Sequence, residues 1–360
     1  MGCCAAPRTE ALRRPSRASP STCTSCRPAR PSGSRWRWSR RAGTGASRRR
    51  SPPTRTGVGR RGTGVTPLTR DPTRPWCVWT CSRTRGPPGW HTARVDFDAY
   101  ERELWAGRAS AYERGFARLT AYLVRPLLDA AGVADGTRTL DVGTGPGIVS
   151  AEAVRRGAKV SSIDADPGMA ETARRNVPEA DVRVAVLPDV PFPDGTFEAV
   201  AGNFVINHVA DPGDVLGRLR RVLRPGGRLA LSCWAMPGTG ALGVVREALD
   251  RAEVPWPDDM PVQPFVEHGQ PVPFRRLVAG AGFGHVAVKE VTWEHVVDPD
   301  EWWELGALAR IGSNGVVVGR QDAATVARIK AAYDEVMAGY PRRDGGVALP
   351  AHALLAGGAA

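Results

Sequence analysis

The first 94 residues contain no lysine and only two acids, Glu10 and Asp71. Branched aliphatic residues are scarce there too, and apolar positions recur with neither helical nor strand spacing. Such a stretch cannot bury enough apolar surface to offset its ordering entropy, so disorder is expected over residues 1–94. Beyond it, cysteine is nearly absent: Cys233 is the single one, which excludes a disulfide framework and points to a reducing, cytoplasmic setting. No apolar run approaches the ~20 residues of a membrane span, so no membrane partner is expected. The start lacks the apolar centre of a secretory leader. Met1-Gly2-Cys3-Cys4 resembles a lipidation signal, but Ala6 stands where that pattern needs Ser or Thr.

What is present divides the chain in two. Residues 1–94 carry 21 arginines against the two acids, a formal charge of +19. Residues 95–360 carry 28 basic residues against 35 acids, a formal −7, so the net +12 belongs to the first segment alone. Three readings of that segment stay open. Arg35-Trp36-Arg37-Trp38 and Arg48-Arg49-Arg50 suit a nucleic-acid-binding arm. Cys23-x-x-Cys26 and Cys77-x-x-x-Cys81 suit a metal, though some fifty residues separate the pairs. Arginine without lysine, with scattered Trp and Cys, also fits GC-rich upstream sequence translated from too early a start, Val95 being the true one.

From Asp96 the texture becomes ordered. Asp98 to Val124 carries Tyr100, Leu104, Trp105, Tyr112, Phe116, Leu119 and Leu123 at helical spacing, and Pro126 interrupts before a short helix ended by Gly132. Strands are expected at 137–142, 159–164, 181–186, 197–205 and 228–233. Helices between them open on Asp166-Pro167 and Asp211-Pro212, with Asp as cap and Pro at the first helical position. Strand–helix alternation implies right-handed crossovers and an α/β fold around a parallel sheet. Later come helices at 240–252, 273–280, from Asp298-Pro299 through Trp302-Trp303, and 322–340, with strands at 285–297 and 346–355. The domain reading is a helical cap over 95–136, a cofactor-binding core over 137–234, and the rest of the sheet with lid insertions over 235–360.

Leu140-Asp141-Val142-Gly143-Thr144-Gly145-Pro146-Gly147 leads a strand through three alternating glycines into a helix. Residues without Cβ let the backbone approach a ligand, and the helix start offers free N–H groups. The dinucleotide fingerprint needs a further glycine where Ile148 stands. Asp141 would repel a pyrophosphate but attract an ammonium near a sulfonium; its alternative role is a cap or turn former. Asp164 ends the next strand, where a carboxylate can accept from both hydroxyls of a ribose. Asp166 reads as a helix cap.

These residues resemble the class I S-adenosylmethionine-dependent methyltransferases, in the small-molecule group related to ubiquinone and menaquinone biosynthesis. Besides the glycine turn, four stretches carry the likeness in order: Asp164 to Met169, Pro191 to Phe197, Asn203 to His208, and Arg221 to Gly227. It covers about Phe97 to Cys233. The resemblance implies a doubly wound, mostly parallel seven-stranded Rossmann-like sheet with helical lid insertions, and S-adenosyl-L-methionine as cofactor. Gly143, Gly145 and Gly147, with Thr144 between, would cradle the methionine part. Asp164 and the adjacent Ala165 would hold the ribose, and Asn203 and Phe204 would line the methionine side. Where the family often has an adenine-binding Asp, this chain has Val186, so adenine would rest on backbone near Val186 and Leu187 with Met169 as an apolar wall.

Methyl transfer is an in-line displacement, so the protein chiefly aligns the partners and keeps water out. His208 is the candidate base, with a packing role as its alternative. His285 and His295 read as structural, and Tyr112 as a cofactor contact or core residue. No metal is expected. The expected function is methyl transfer to a small molecule under an aromatic lid carrying Trp302 and Trp303. The rivals are a nucleic-acid methyltransferase using the basic arm, disfavoured because Asn203-Phe204-Val205-Ile206 is not Asn-Pro-Pro-aromatic, and a cofactor-binding module without turnover.

Overall fold

The computed structural model describes residues 96–360, and the readings of the arginine-rich segment fall outside the described residues. Strand-forming runs placed between capped helices wind into one sheet. Its parallel part consists of β1 (Arg138–Val142), β2 (Lys159–Asp164), β3 (Asp181–Val184), β4 (Phe197–Asn203) and β5 (Leu223–Trp234). Three later strands, β6 (Gly284–Val297), β7 (Arg342–Arg343) and β8 (Gly346–Ala359), complete it. The order is β3-β2-β1-β4-β5-β8-β6, with β8 antiparallel to both neighbours and β7 paired to β8. The strand order reverses between β1 and β4, which opens a crevice at their carboxyl ends.

The sheet has eight strands where seven were expected. The extra one is β7, two residues long, joined to β8 by Asp344-Gly345 with both φ positive, 51° and 82°. That is the Asp-Gly chemistry of a tight two-residue hairpin. β8 also runs four residues beyond the expected Leu355.

Helices cover both faces because strand residues alternate sides. On one face α4 (Val124–Ala131) and α5 (Ile148–Arg155) cover Ala199, Ala201, Ala230 and Leu355. On the other, α7 (Pro212–Val222) and α9 (Pro271–Gly280) cover Leu140, Val142, Val200 and Leu231. α7 buries Val215, Leu216, Leu219 and Val222, a one-face spacing worth about 1.5–3 kcal/mol per fully buried large side chain. α6 (Pro167–Asn176) packs beside β2 and β3.

A third hydrophobic cluster sits over the strand ends. It joins Leu119, Leu123, Phe204 and Trp234 to α8 (Val244–Arg251), α10 (Pro299–Trp302), α11 (Gly312–Gly319) and α12 (Ala323–Ala338). The helical stretch expected from Asp98 to Val124 is broken into α1 (Phe97–Trp105), α2 (Ala109–Arg114) and α3 (Phe116–Thr120). Gly107 takes φ +72°, and Gly115 leaves helical geometry where Leu305 comes close, 3.1 Å from the position its Cβ would occupy. Pro126 does not interrupt: α4 starts at Val124, so Pro126 lies in the first turn, where no backbone donor is needed. Among the described residues, no helix is long and apolar enough to cross a membrane.

Candidate functional site

The reversal of strand order, roofed by the helical cluster, leaves a cavity of about 1000 Å³ at the carboxyl ends of β1, β2, β4 and β5. The glycine turn forms one wall. Gly143, Gly145 and Gly147 have φ of +66°, +55° and +93°, a region that suits residues without Cβ. The Gly143 and Thr144 N–H groups donate to the Ile163 carbonyl at 2.9 and 3.0 Å, tying the turn to β2.

Asp164 faces this turn. Its Oδ2 accepts from Gly145 N at 2.8 Å and its Oδ1 from Asp166 N at 2.9 Å. Each oxygen keeps a lone pair, so two hydroxyl groups can still donate to it. Burial, with Asp166 nearby, pushes its carboxyl up to about 6 despite those bonds. Asp166 itself accepts from Met169 N at 2.8 Å and caps α6.

Asp141 is placed differently from its expected role. It is 1% exposed and stands inside the turn, outside the cavity wall. Its Oδ2 accepts from the Thr144 hydroxyl at 2.7 Å and the Ser150 hydroxyl at 2.6 Å, and Ser150 meets Ser162 at 2.7 Å. Its Oδ1 has no partner. Burial raises this carboxyl also to about 6, with the Asp164 charge adding to the rise. Neither carboxylate has a basic partner among the described residues, so the turn presents negative potential to whatever lies against it. Thr144 and Gly147 likewise brace the turn without lining the cavity.

The other singled-out residues come together on the wall: Gly143, Gly145, Asp164, Ala165 and Met169 on the first side, Val186 and Leu187 beside them, Asn203, Phe204 and His208 opposite. Asn203 is committed internally: its amide donates to the Thr120 carbonyl at 3.2 Å and its oxygen accepts from the Ser232 hydroxyl at 2.7 Å. Phe204 adopts φ +59°, a strained conformation for an aromatic residue, and stacks on Trp234 at 4.0 Å. Tyr112 also lines the cavity, its hydroxyl 3.4 Å from that of Thr120. His295 lies on β6, 6% exposed, and burial pushes its imidazole down to about 4, which keeps it neutral.

His208 holds a built environment. Its Nδ1 faces Glu101 Oε2 at 2.8 Å, its Nε2 faces the Asn207 amide at 2.9 Å, and Trp105 packs edge-on at 5.2 Å. Trp105 Nε1 donates to the same Glu101 oxygen at 3.1 Å. Glu101 and Asn207 were not singled out from the sequence. Glu101 and Trp105 share a helix face at four-residue spacing, but nothing local announces the contact with a histidine 107 residues away. The far wall was also missed: Trp256, Met260, Gln263 and Asn314 come from a Pro-rich loop and from α11. Among the described residues no three His, Cys, Asp or Glu side chains stand together as metal ligands.

The family described as a methyltransferase domain matches residues 140–231. A 37.1 kDa protein in a transposon of Streptomyces fradiae is 40% identical over 111 residues, 29% of this chain and 32% of that protein. The demethylmenaquinone methyltransferase of Renibacterium salmoninarum is 32% identical over 121 residues, 34% of this chain and 51% of that enzyme. The ubiquinone biosynthesis O-methyltransferase of Xanthomonas oryzae is 38% identical over 116 residues, 31% of this chain and 48% of that enzyme. The chain thus spans about half or less of the length of these relatives. The stretch that resembles a methyltransferase domain, residues 140–231, is the one that holds the glycine turn, Asp164 set against it and the strand-order reversal.

Proposed function

We propose that the chain is an S-adenosylmethionine-dependent methyltransferase acting on a small molecule in the cytoplasm. The observation that carries this reading is the pair of carboxylates, Asp141 and Asp164, at a glycine turn, with no basic residue paired to either among the described residues. That arrangement favours a cationic nucleoside and opposes a phosphate-linked one. Asp164 would hold the ribose hydroxyls, and the backbone at Gly143 and Gly145 would lie against the methionine part. Val186, Leu187 and Met169 would enclose the base. When bound, the cofactor supplies an activated methyl group together with its own leaving group. The protein's share is alignment, exclusion of water by the helical roof, and management of one proton. With Nδ1 facing Glu101, His208 would take that proton at Nε2, the Asn207 amide swinging aside to admit the acceptor.

Calorimetry on the full chain is the direct test. Heat is expected with S-adenosylmethionine and with its demethylated product, and none with NADH; the reverse pattern removes the reading.

The pH dependence has a definite sign. Both carboxylates are held near 6, against an ordinary value of 3.8, so the unliganded fold takes up protons as pH falls through about 6. It gains stability relative to the unfolded chain down to about pH 4. A cationic ligand needs the ionised forms. Affinity for S-adenosylmethionine is therefore expected to weaken by about tenfold per pH unit below 6 for each carboxylate that must release its proton. Titrations at pH 7.5 and 5.0 check this, and an unchanged Kd speaks against the electrostatic basis of recognition.

His208→Ala is expected to lower kcat by about 10²–10⁴ while cofactor affinity changes less than about twofold. A drop in cofactor affinity as large as the drop in kcat would show a packing role instead. Labelled cofactor and a host metabolite extract would supply the acceptor for this measurement.

A further inference from the structure

Asn176, the last residue of α6, uses its side-chain amide to fasten two other parts of the molecule together. Its Nδ2 donates to the Pro146 carbonyl inside the glycine turn at 3.0 Å and to Glu113 Oε1 on α2 at 2.7 Å. Both neighbours are pure acceptors, so the amide nitrogen has to face them. α2 has need of such a tie. It is six residues long, and every one of them keeps part of its surface exposed. Before it stands Gly107, at φ +72° with nothing within 4 Å of a Cβ there; after it stands Gly115, where the close approach of Leu305 pins the backbone. Among the described residues, the other polar side-chain contact that leads out of α2 is the longer one from Tyr112 to Thr120, 3.4 Å. Yet α2 is the helix that sets Tyr112 over the turn: a Cβ on Gly145 would lie 3.6 Å from Tyr112 Cε1, and both residues line the cavity.

We propose that Glu113 and Asn176 are positioning residues: they clasp α2 to the glycine turn and hold Tyr112 down over the cofactor, which exchanges by release of this clasp and a swing of α2 from its Gly107 end. The inference rests on the methyltransferase reading, which supplies the ligand beneath Tyr112, and adds how that ligand is retained. A hydrogen bond to a carboxylate between partly exposed groups is strong enough to keep a short helix in place and weak enough to break during the motions of a lid. Because the same amide also holds Pro146, the cover and the turn it covers are tied to one point at the end of α6.

The test follows S-adenosylhomocysteine binding to the full chain by stopped-flow tryptophan fluorescence, to which Trp105, edge-on to Tyr112 at 5.5 Å, contributes. Glu113→Ala and Asn176→Ala are each expected to speed dissociation by about fivefold or more without slowing association, since a loosened cover does not obstruct entry. Glu113→Gln keeps an oxygen that can accept from Asn176 and is expected to stay within about twofold of wild type. In the Asn176→Ala background, Glu113→Ala is expected to change dissociation by less than about twofold, because the two side chains are halves of one contact. Unchanged dissociation in the Ala variants overturns the proposal. So does slowed association, which marks a damaged site instead of an unlatched one, and so does a Glu113→Gln variant as fast as Glu113→Ala or an additive double variant. Should thermal melts show that Asn176→Ala does not fold, the two Glu113 variants decide alone. Failure of S-adenosylhomocysteine to bind the wild-type chain is a different result: it removes the methyltransferase reading, and the clasp's ligand with it.

Discussion

Asp164→Ala is expected to weaken S-adenosylmethionine binding by about a hundredfold or more, since charge-assisted hydrogen bonds contribute about 1.5–3 kcal/mol each and two are lost. The carboxylate does two jobs from one position. In the proposed function it would offer a lone pair on each oxygen to a ribose hydroxyl, and it takes the Gly145 and Asp166 N–H groups that set the rim of the site. Alanine removes both. Asp164→Asn separates them, because an amide keeps one accepting oxygen and the side-chain volume. A loss of about tenfold is expected for it. Titration calorimetry reads both variants, with thermal melts of the unliganded proteins as a control for folding. Since the wild-type carboxyl sits near 6 through burial, the unliganded Asn variant is expected to melt no lower than wild type at pH 7.5. Equal affinity in wild type and the Ala variant would show that the ribose is held elsewhere.

The second large effect concerns the turn itself. Gly143 and Gly136 both hold positive φ, +66° and +72°. A Cβ on Gly143 would come within 2.5 Å of Val205 Cγ2 and 2.7 Å of Val205 Cβ, whereas one on Gly136 meets nothing within 4 Å. Val205 Cβ is fixed to backbone and cannot rotate away. Gly143→Ala therefore combines overpacking with backbone strain, a cost of about 2–4 kcal/mol, while Gly136→Ala carries strain alone, about 1 kcal/mol. Melting temperatures are expected to fall by roughly 5–10 °C and about 3 °C respectively. Cofactor binding should be lost only in the first variant, because the displaced turn is the cavity wall. Matching melts would mean that strain decides both sites and that the approach of Val205 relaxes freely.

The sequence announced those parts of the molecule that local chemistry controls. Asp166, Asp211, Asp298 and Asp322 all precede helices, and each accepts from the backbone of the helix it opens. Gly132 ends α4 in the left-handed conformation its position suggested. The glycine turn and Asp164 were legible because strand, turn and helix follow one another within a few residues. What could not be read depends on distance along the chain or on crowding. Asp141 carried the right residue type for a ligand contact, yet the Thr144 and Ser150 hydroxyls draw it inward. The valine run Val316-Val317-Val318 favours a strand by propensity, but it lies within α11, where Val317 and Val318 are fully buried and tertiary packing overrides propensity. The β7–β8 hairpin was readable in principle from Asp344-Gly345, but a two-residue strand leaves no alternation to notice. Glu101 looked like any acid on an amphipathic helix.

The position of Glu101 has a consequence for how ligands come and go. α1 helps wall the cavity and, among the described residues, is the element that brings a carboxylate to His208, with Gly107 at +72° just beyond its end. A swing of that helix that widened the mouth would also part His208 from the Glu101 carboxylate. Access to the cavity and the support of His208 are thereby tied to one and the same helix.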